Sequence, residues 1–211
     1  VEEEGGVLLP EAAIGAAVRL AREAGARVLT EAPVTQVVPD AERPSVWVGG
    51  TEIRARRVVV AAGSWLTRVV PALPDLGIRV ERRVLGWFPI IGDPAAHSGG
   101  PVFARDEADG TLWYGFPSLD GRTVKIGVHA EAPGARSAGA QWGEPVDPDE
   151  GPRAPDAEDA ARLGRLAARL AGVGTEPERM AACMYTMTPD EDFLIGHRRE
   201  LPGLVLSLIH I

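Results

Sequence analysis

The segment Val124-Lys125-Ile126-Gly127-Val128-His129 carries two ionisable side chains at a spacing that suits a β-strand. Successive side chains of a strand point to opposite faces, so Lys125, Gly127 and His129 share one face and three aliphatic residues share the other. An ammonium and an imidazole on one face can stabilise developing charge and transfer protons. A half-exposed edge strand with a solvated Lys and His would show the same pattern.

A second segment, Cys183-Met184-Tyr185-Thr186-Met187, places a thiol and a phenol on one face by the same alternation, although simple packing would explain it as well. Cys183 is the only cysteine, and Lys125 is the only lysine among 22 basic residues. A GC-rich coding sequence would explain both counts, yet Arg can replace a lysine wherever only a surface charge is needed. A single cysteine cannot form an internal disulfide, which leaves a small buried hydrophobe or a reactive thiol.

The elements predicted before residue 78 belong to an α/β domain. Residues 10–27 are predicted to form a helix that Gly25 ends, and a strand is predicted at 27–30. Residues 58–62 form a continuous apolar run that is followed by Gly63, which is typical of a buried parallel strand. Ligands of such sheets bind beyond the carboxyl ends of the strands.

The region from residue 79 onwards is predicted to be mainly antiparallel sheet. Its alternating segments are joined by Asp/Gly turns and lie at 79–91, 102–105, 111–116 and 123–129. A helix at 156–170, with Asp156 as its N-cap, precedes a strand at 180–188.

The fold class expected from these elements is α/β combined with α+β. We predict a truncated Rossmann-like domain at 1–77, an inserted, mainly antiparallel-sheet substrate domain at 78–190, and a return to the first domain at 191–205. Residues 206–211 match the peptide that a transposase adaptor used in sequencing libraries encodes in this frame. We expect this tail not to belong to the fold.

Composition excludes several classes of function. The net charge is −8 and the basic residues are interspersed with acids, so no basic surface is expected for nucleic acid or an anionic membrane. No apolar run reaches the roughly 18 residues that span a bilayer, and no segment has the pattern of a signal peptide. We expect a cytoplasmic protein without a metal site.

The blocks around 114–129 and 183–196 resemble the flavin-dependent monomeric sarcosine oxidase and N-methyl-tryptophan oxidase family, within the group related to D-amino-acid oxidase. The resemblance runs from about Gly5 to Val205 and implies that 1–77 and 191–205 form an FAD-binding domain. In the family, the cysteine that matches Cys183 holds FAD through a thioether to the isoalloxazine 8α-methyl. The implied cofactor is therefore FAD, bound covalently through Cys183.

The resemblance also implies roles for other side chains. Lys125 matches the lysine that lies over the flavin and helps the reduced flavin pass electrons to oxygen. Tyr114, His129 and Tyr185 match residues of the substrate pocket, and His129 is expected to tune the ionisation of the bound amine. The expected catalytic residues are Lys125, His129 and Tyr114. The residues expected to contact the adenine, ribose and phosphates of FAD are Val34, Ala62, Gly63 and Trp65.

The implied reaction is oxidation of a secondary N-methyl amino acid such as sarcosine by molecular oxygen, which gives the demethylated amino acid, formaldehyde and hydrogen peroxide. Alternatives are an oxidase of the same fold acting on N-methyltryptophan, pipecolate or a sugar-linked amine, an oxygen-insensitive flavin dehydrogenase, and a non-catalytic binding module. The family's glycine-rich FAD fingerprint and its basic ligands for the substrate carboxylate do not occur in these 211 residues. We therefore expect a fragment, inactive alone, of an enzyme that is monomeric at full length.

Overall fold

The computed structural model of the chain describes residues 6–73, 75–130 and 144–208, and it divides into two units. The unit called here the large-sheet unit comprises Glu81–Met184 with residues 6–8. The small-sheet unit comprises Leu9–Val80 and the residues from Tyr185 onwards. The sequence predicts boundaries at 77/78 and 190/191, whereas the structure divides the chain at 80/81 and 184/185. The second of these divisions lies inside a strand.

The elements are named in chain order. The helices are α1 (Pro10–Glu23), α2 (Leu66–Val69) and α3 (Ala157–Ala167), and 3₁₀ turns lie at Gly63–Trp65 and Pro94–His97. The strands are β1 (Val34–Val38), β2 (Ser45–Val48), β3 (Thr51–Arg54), β4 (Val58–Val60), β5 (Arg79–Pro89), β6 (Phe103–Asp106), β7 (Leu112–Phe116), β8 (Thr123–Ala130), β9 (Arg179–Met187), β10 (Leu194–Gly196) and β11 (Leu204–Leu208).

The large-sheet unit is built on a five-stranded sheet with the strand order β6-β7-β8-β5-β9. The β6–β7, β7–β8 and β8–β5 pairs are antiparallel, which confirms the predicted sheet type. One face packs against α3, and its buried cluster consists of Val84, Phe88, Trp113, Val124, Ile126, Val128, Leu163, Ala167 and Val173. The aliphatic face predicted for β8 therefore lies in the core.

Asp120 fixes the turn between β7 and β8. Its carboxylate accepts hydrogen bonds from the backbone N–H of Thr123 (2.8 Å) and Arg122 (2.9 Å) and from the hydroxyls of Thr123 (2.7 Å) and Ser118 (3.1 Å). These bonds, the Thr123 backbone bond first, hold the pKa of Asp120 well below its ordinary value. The turn aligns β7 with β8 and so determines which residues stand beside Lys125.

Helix α3 is fixed to the sheet by a buried ion pair. Arg82 of β5 donates from Nη2 and Nη1 to the two carboxylate oxygens of Asp159, at 2.6 and 3.1 Å, and both residues are 5% exposed. Asp159 also accepts the backbone N–H of Asp156, the predicted N-cap, whose carboxylate accepts the N–H of Asp159 in return. This reciprocal capping box begins the helix at the expected position.

The small-sheet unit contains two three-stranded sheets, β1-β2-β3 and β10-β11-β4. β4 pairs with β11 in parallel, as the run at 58–62 predicted. The prediction that this strand is fully buried was wrong, because Val59 is 65% exposed while Val60 is buried. Buried residues of both sheets and of α2 form one cluster: Val37, Val60, Leu66, Val70, Leu201, Leu204, Leu206 and Leu208.

Two further expectations differ from the structure. Residues 27–30 do not form a strand, because among the described residues they pair with no neighbour and a strand requires hydrogen bonds to a partner. Residues 206–208 belong to the fold, because β11 runs to Leu208 and alternates Leu206 and Leu208 into the core. The exclusion of these three residues was wrong, and residues 209–211 lie outside the described part.

Helix α1 begins at Pro10 as predicted and ends at Glu23, shortly before Gly25, whose φ is +85°. No residue of α1 is buried by the described part of the chain. In that part, no helix has the length and apolarity needed to cross a membrane.

Candidate functional site

Lys125 and Tyr114 lie on the face of the large sheet that does not pack against α3. Directly paired residues of antiparallel strands point to the same side, so the strand registers arrange this face in rows. Two rows consist of paired residues, Phe116–Lys125–Trp87 and Tyr114–Gly127–Leu85, and a third joins the Arg83 side chain to the His129 carbonyl by a hydrogen bond. We call this surface, defined by these rows, the open face. Lys125 and Gly127 share one side of β8, as predicted. His129 is the extra residue of a β-bulge between Val128 and Ala130, so strand alternation does not assign its side chain to a face.

In the first row, the Lys125 ammonium stands beside an aromatic ring from each neighbouring strand. Its Nζ lies 4.8 Å from the ring centroid of Phe116 and 5.5 Å from that of Trp87. The Arg179 guanidinium of β9 stacks on Trp87, with Cζ 3.7 Å from the centroid. Ring faces attract cations, so aromatic and cationic side chains alternate across four strands.

Tyr114 in the second row depends on a glycine. A Cβ at Gly127 would stand 2.6 Å from both Cζ and Oη of Tyr114 and 2.7 Å from Cδ2 of Leu85. The phenol ring therefore lies directly over the backbone of β8, in space that any side chain at 127 would fill. Tyr114 also meets Phe116 edge to face, with ring centroids 5.9 Å apart.

The third row contains a buried ion pair that was not predicted from the sequence. Arg83 donates from Nη2 to Glu81 (2.8 Å) and from Nε to the His129 carbonyl (3.2 Å), and Glu81 is only 2% exposed. The bond to the carbonyl fixes the backbone of His129 to β5. The run of charged residues at the start of an otherwise apolar strand is the signal that could have indicated this pair.

Cys183 also belongs to the open face. β9 neighbours β5 on the side away from β8. Arg179 contacts Trp87 and Met180 packs against the core, so by strand alternation Cys183 shares the side of Arg179. The partly buried thiol forms no disulfide. Burial raises the pKa of the Cys183 thiol, and the nearby charges of Arg83 and Lys125 offset only part of that rise.

The remaining predicted residues lie in the small-sheet unit. Ala62, Gly63 and Trp65 follow the carboxyl end of β4, where Gly63 has a φ of +52° and no atom lies within 4 Å of a Cβ built on it. Ser64 and Thr186 hydroxyls, 2.9 Å apart, fix this turn to the end of β9. Val34 begins β1 in the other sheet, and Tyr185 is buried.

The structure thus brings Lys125, Tyr114 and Cys183 to one face, with the backbone of His129 beside them, and Ala62, Gly63 and Trp65 to one turn. It does not bring Val34 into the sheet that carries that turn. Within the described ranges, no group of three or more His, Cys, Asp or Glu side chains is arranged to hold a metal ion.

Two curated proteins are similar to this chain over nearly its whole length. N-methyl-L-tryptophan oxidase of Citrobacter koseri is 34% identical over 99% of this chain and 52% of its own length. Monomeric sarcosine oxidase of a Bacillus species is 33% identical over 98% of this chain and 51% of its own length. The chain spans about half the length of these curated relatives.

Among solved structures, the open form of a NikD mutant, an unusual amino acid oxidase essential for nikkomycin biosynthesis, has a TM-score of 0.74. It is 23% identical, and the match covers 93% of this chain and 50% of that one. This likeness confirms the fold class. The sequence profile DAO, described as FAD dependent oxidoreductase, matches residues 1–210. The chain therefore belongs to the FAD dependent oxidoreductase family, as its segments 114–129 and 183–196 indicated.

Proposed function

We propose that this chain is part of an FAD-dependent oxidase of secondary N-methyl amino acids such as sarcosine. The observation that supports the proposal is the open face with Lys125, Tyr114 and Cys183, beside which Arg83 holds the backbone of His129. Family membership supports FAD as the cofactor, and the names of the two curated relatives support an N-methyl amino acid as the substrate class. The whole protein would act as a cytoplasmic monomer on a small amine and oxygen.

The residues present fit an isoalloxazine and its dinucleotide. On the open face, Gly127 has no side chain, and the Tyr114 ring lies across β8 at that point. The Lys125 ammonium and the Cys183 thiol belong to the same face. In the small-sheet unit, the open space at Gly63 suits the close approach of a phosphate or ribose to the backbone. Cys183 would hold the isoalloxazine, and Ala62, Gly63, Trp65 and Val34 would contact the rest of FAD.

FAD, when bound, supplies the two-electron oxidation of the amine and the transfer of those electrons to oxygen. Lys125 places a positive charge where negative charge develops during that transfer. None of the ion pairs among the described residues involves Lys125, so no carboxylate of that part of the chain neutralises its charge. A compact ammonium suits a single point of charge better than a broad guanidinium does.

His129 and Tyr114 would act on the substrate. An amine must be unprotonated before it can be oxidised, and an imidazole can accept its proton near neutral pH. The bond from Arg83 to the His129 carbonyl keeps the histidine in place while the proton moves. The Tyr114 hydroxyl, fixed over Gly127, can orient the substrate. Tyr185, by its resemblance to the family's pocket residue, is a further candidate for substrate contact. The oxidised N-methyl group then leaves as formaldehyde after hydrolysis of the imine.

Cys183 would attach the cofactor by a thioether. The thiol of Cys183 would supply the sulfur of that bond to the 8α carbon, and oxygen would be the two-electron oxidant, leaving as hydrogen peroxide. Arg83 and Lys125 would partly offset the burial that disfavours the thiolate needed for the attachment.

Replacement of Cys183 by Ser in the full-length protein is expected to abolish covalent attachment of FAD, because a hydroxyl is not ionised at neutral pH. Acid precipitation measures this directly, since only bound flavin leaves a yellow pellet. The wild-type pellet should be yellow and the Cys183→Ser pellet colourless. Ala181→Ser, two residues earlier on the same strand, is the matched control and should remain yellow. A colourless wild-type pellet, or a yellow Cys183→Ser pellet, would refute the thioether.

A further inference from the structure

We propose that Trp87 and Phe116 are positioning residues that clamp the Lys125 ammonium over the open face for the reaction with oxygen. The clamp itself is a property of this chain, and only its consequence for oxygen rests on the proposed function. Both rings come from direct cross-strand partners of Lys125, one in β5 and one in β7. Lys125 therefore has an aromatic residue on each side, one from each neighbouring strand of the same sheet.

The distances indicate that the two rings attract the Lys125 ammonium by cation–π interaction and do not merely lie next to it. Both ring centroids lie within 6 Å of Nζ, at 4.8 and 5.5 Å, which is the range in which a ring face attracts an ammonium. Trp87 is itself held by the Arg179 guanidinium stacked 3.7 Å from its centroid. A flexible four-carbon side chain thus gains a defined position.

An aromatic clamp does something that a carboxylate would not. A carboxylate within reach would hold Lys125 but would neutralise its charge, whereas a ring face attracts the ammonium and leaves its charge whole. The three N–H donors also remain available for a ligand or a water. Position and full charge are the two properties that an electrostatic role requires.

Core packing does not account for these two rings. Trp87 and Phe116 are only half-buried, and neither belongs to the cluster beneath α3. Phe88, next to Trp87 in the chain, is fully buried and fills that role instead. Phe103 packs edge to face on Trp113 in that core. It offers a matched control, because it is an aromatic residue of the same sheet on the opposite face.

The single lysine makes the test sharp. In the chain grown with ¹³C,¹⁵N-lysine, every lysine side-chain signal belongs to Lys125. Ring currents from the two clamping rings should move its ε-proton signal upfield of its position in the urea-unfolded chain. Trp87→Leu and Phe116→Leu should each move it back towards the unfolded position, whereas Phe103→Leu should not. Trp87→Phe should retain most of the upfield shift, which separates loss of the ring from loss of the fold.

An ε-proton signal that coincides with the unfolded one, or that neither Leu substitution moves, would overturn the clamp. In the full-length enzyme, the Trp87→Leu/Phe116→Leu double variant should slow reoxidation of the reduced flavin by on the order of 10- to 100-fold. An unchanged rate in this double variant, where Lys125→Met is slowed, would also overturn the proposal. Failure of the proposed function would give a different result from failure of the clamp. In that case Lys125→Met would leave the reoxidation rate unchanged, while the Lys125 ε-proton signal of the flavin-free chain would still be shifted upfield.

Discussion

Replacement of Lys125 by Met is expected to slow reoxidation of the reduced flavin by about 10²- to 10³-fold, the effect typical of removing one preorganised electrostatic contact. Met is an unbranched side chain nearly as long as Lys and carries no charge. Reduction of the flavin by the amine should change much less, because the proposed role of the ammonium is in the later transfer of electrons to oxygen. Stopped-flow mixing of the reduced full-length enzyme with oxygenated buffer measures the step alone.

The control for this variant is Lys125→Arg, which keeps the charge but spreads it over a planar group. We expect it to reoxidise at a rate between those of the wild type and Lys125→Met. A Lys125→Met enzyme that reoxidises as fast as the wild type would show that the ammonium has no part in the oxygen reaction. A wild-type reduced flavin that does not react with oxygen would instead indicate a dehydrogenase.

Asp159→Asn is expected to lower the free energy of unfolding of the large-sheet unit by about 3–5 kcal/mol, because it leaves the Arg82 guanidinium buried without its bidentate partner. Glu144, 3.6 Å from Arg82 but half-exposed, can replace little of that interaction. The urea midpoint followed by tryptophan fluorescence measures the loss, since Trp113 is fully buried in the core of this unit.

The control for Asp159→Asn is Glu178→Gln, which removes the exposed ion pair to Arg122 and should cost no more than about 1 kcal/mol. A double replacement of Arg82 and Asp159 by Leu should recover much of the lost stability, since it buries no unpaired charge. Equal midpoints for Asp159→Asn and Glu178→Gln would contradict the assigned role of the buried pair.

Strand alternation assigned Lys125 and Gly127 of β8 to one face correctly, because the period of two does not depend on the neighbours of a strand. It could not indicate the β-bulge at His129, where the register between β7 and β8 shifts. The rows across the sheet could not be predicted, because they depend on strand order and register. Trp87 stands beside Lys125 only because β5, distant in the chain, inserts between β8 and β9.

Burial and pairing explain the other differences. Charged residues are normally exposed, so the charged run at the start of β5 was not interpreted as a buried pair of Glu81 and Arg83. The apparent strand at 27–30 had suitable residues but no described partner. Conversely, residues 206–208 alternate apolar side chains in the way that β11 requires, whatever the origin of their codons.

The central claim is that the open face works with a flavin that an N-methyl amino acid reduces. The most direct measurement is the visible absorbance of the flavin in the full-length protein during anaerobic addition of sarcosine, N-methyltryptophan, pipecolate, a sugar-linked amine or glycine. We predict that an N-methyl amino acid bleaches the flavin absorbance, and that the colour returns in air with release of hydrogen peroxide. Bleaching by none of the N-methyl amino acids, or only by one of the other amines, would contradict it.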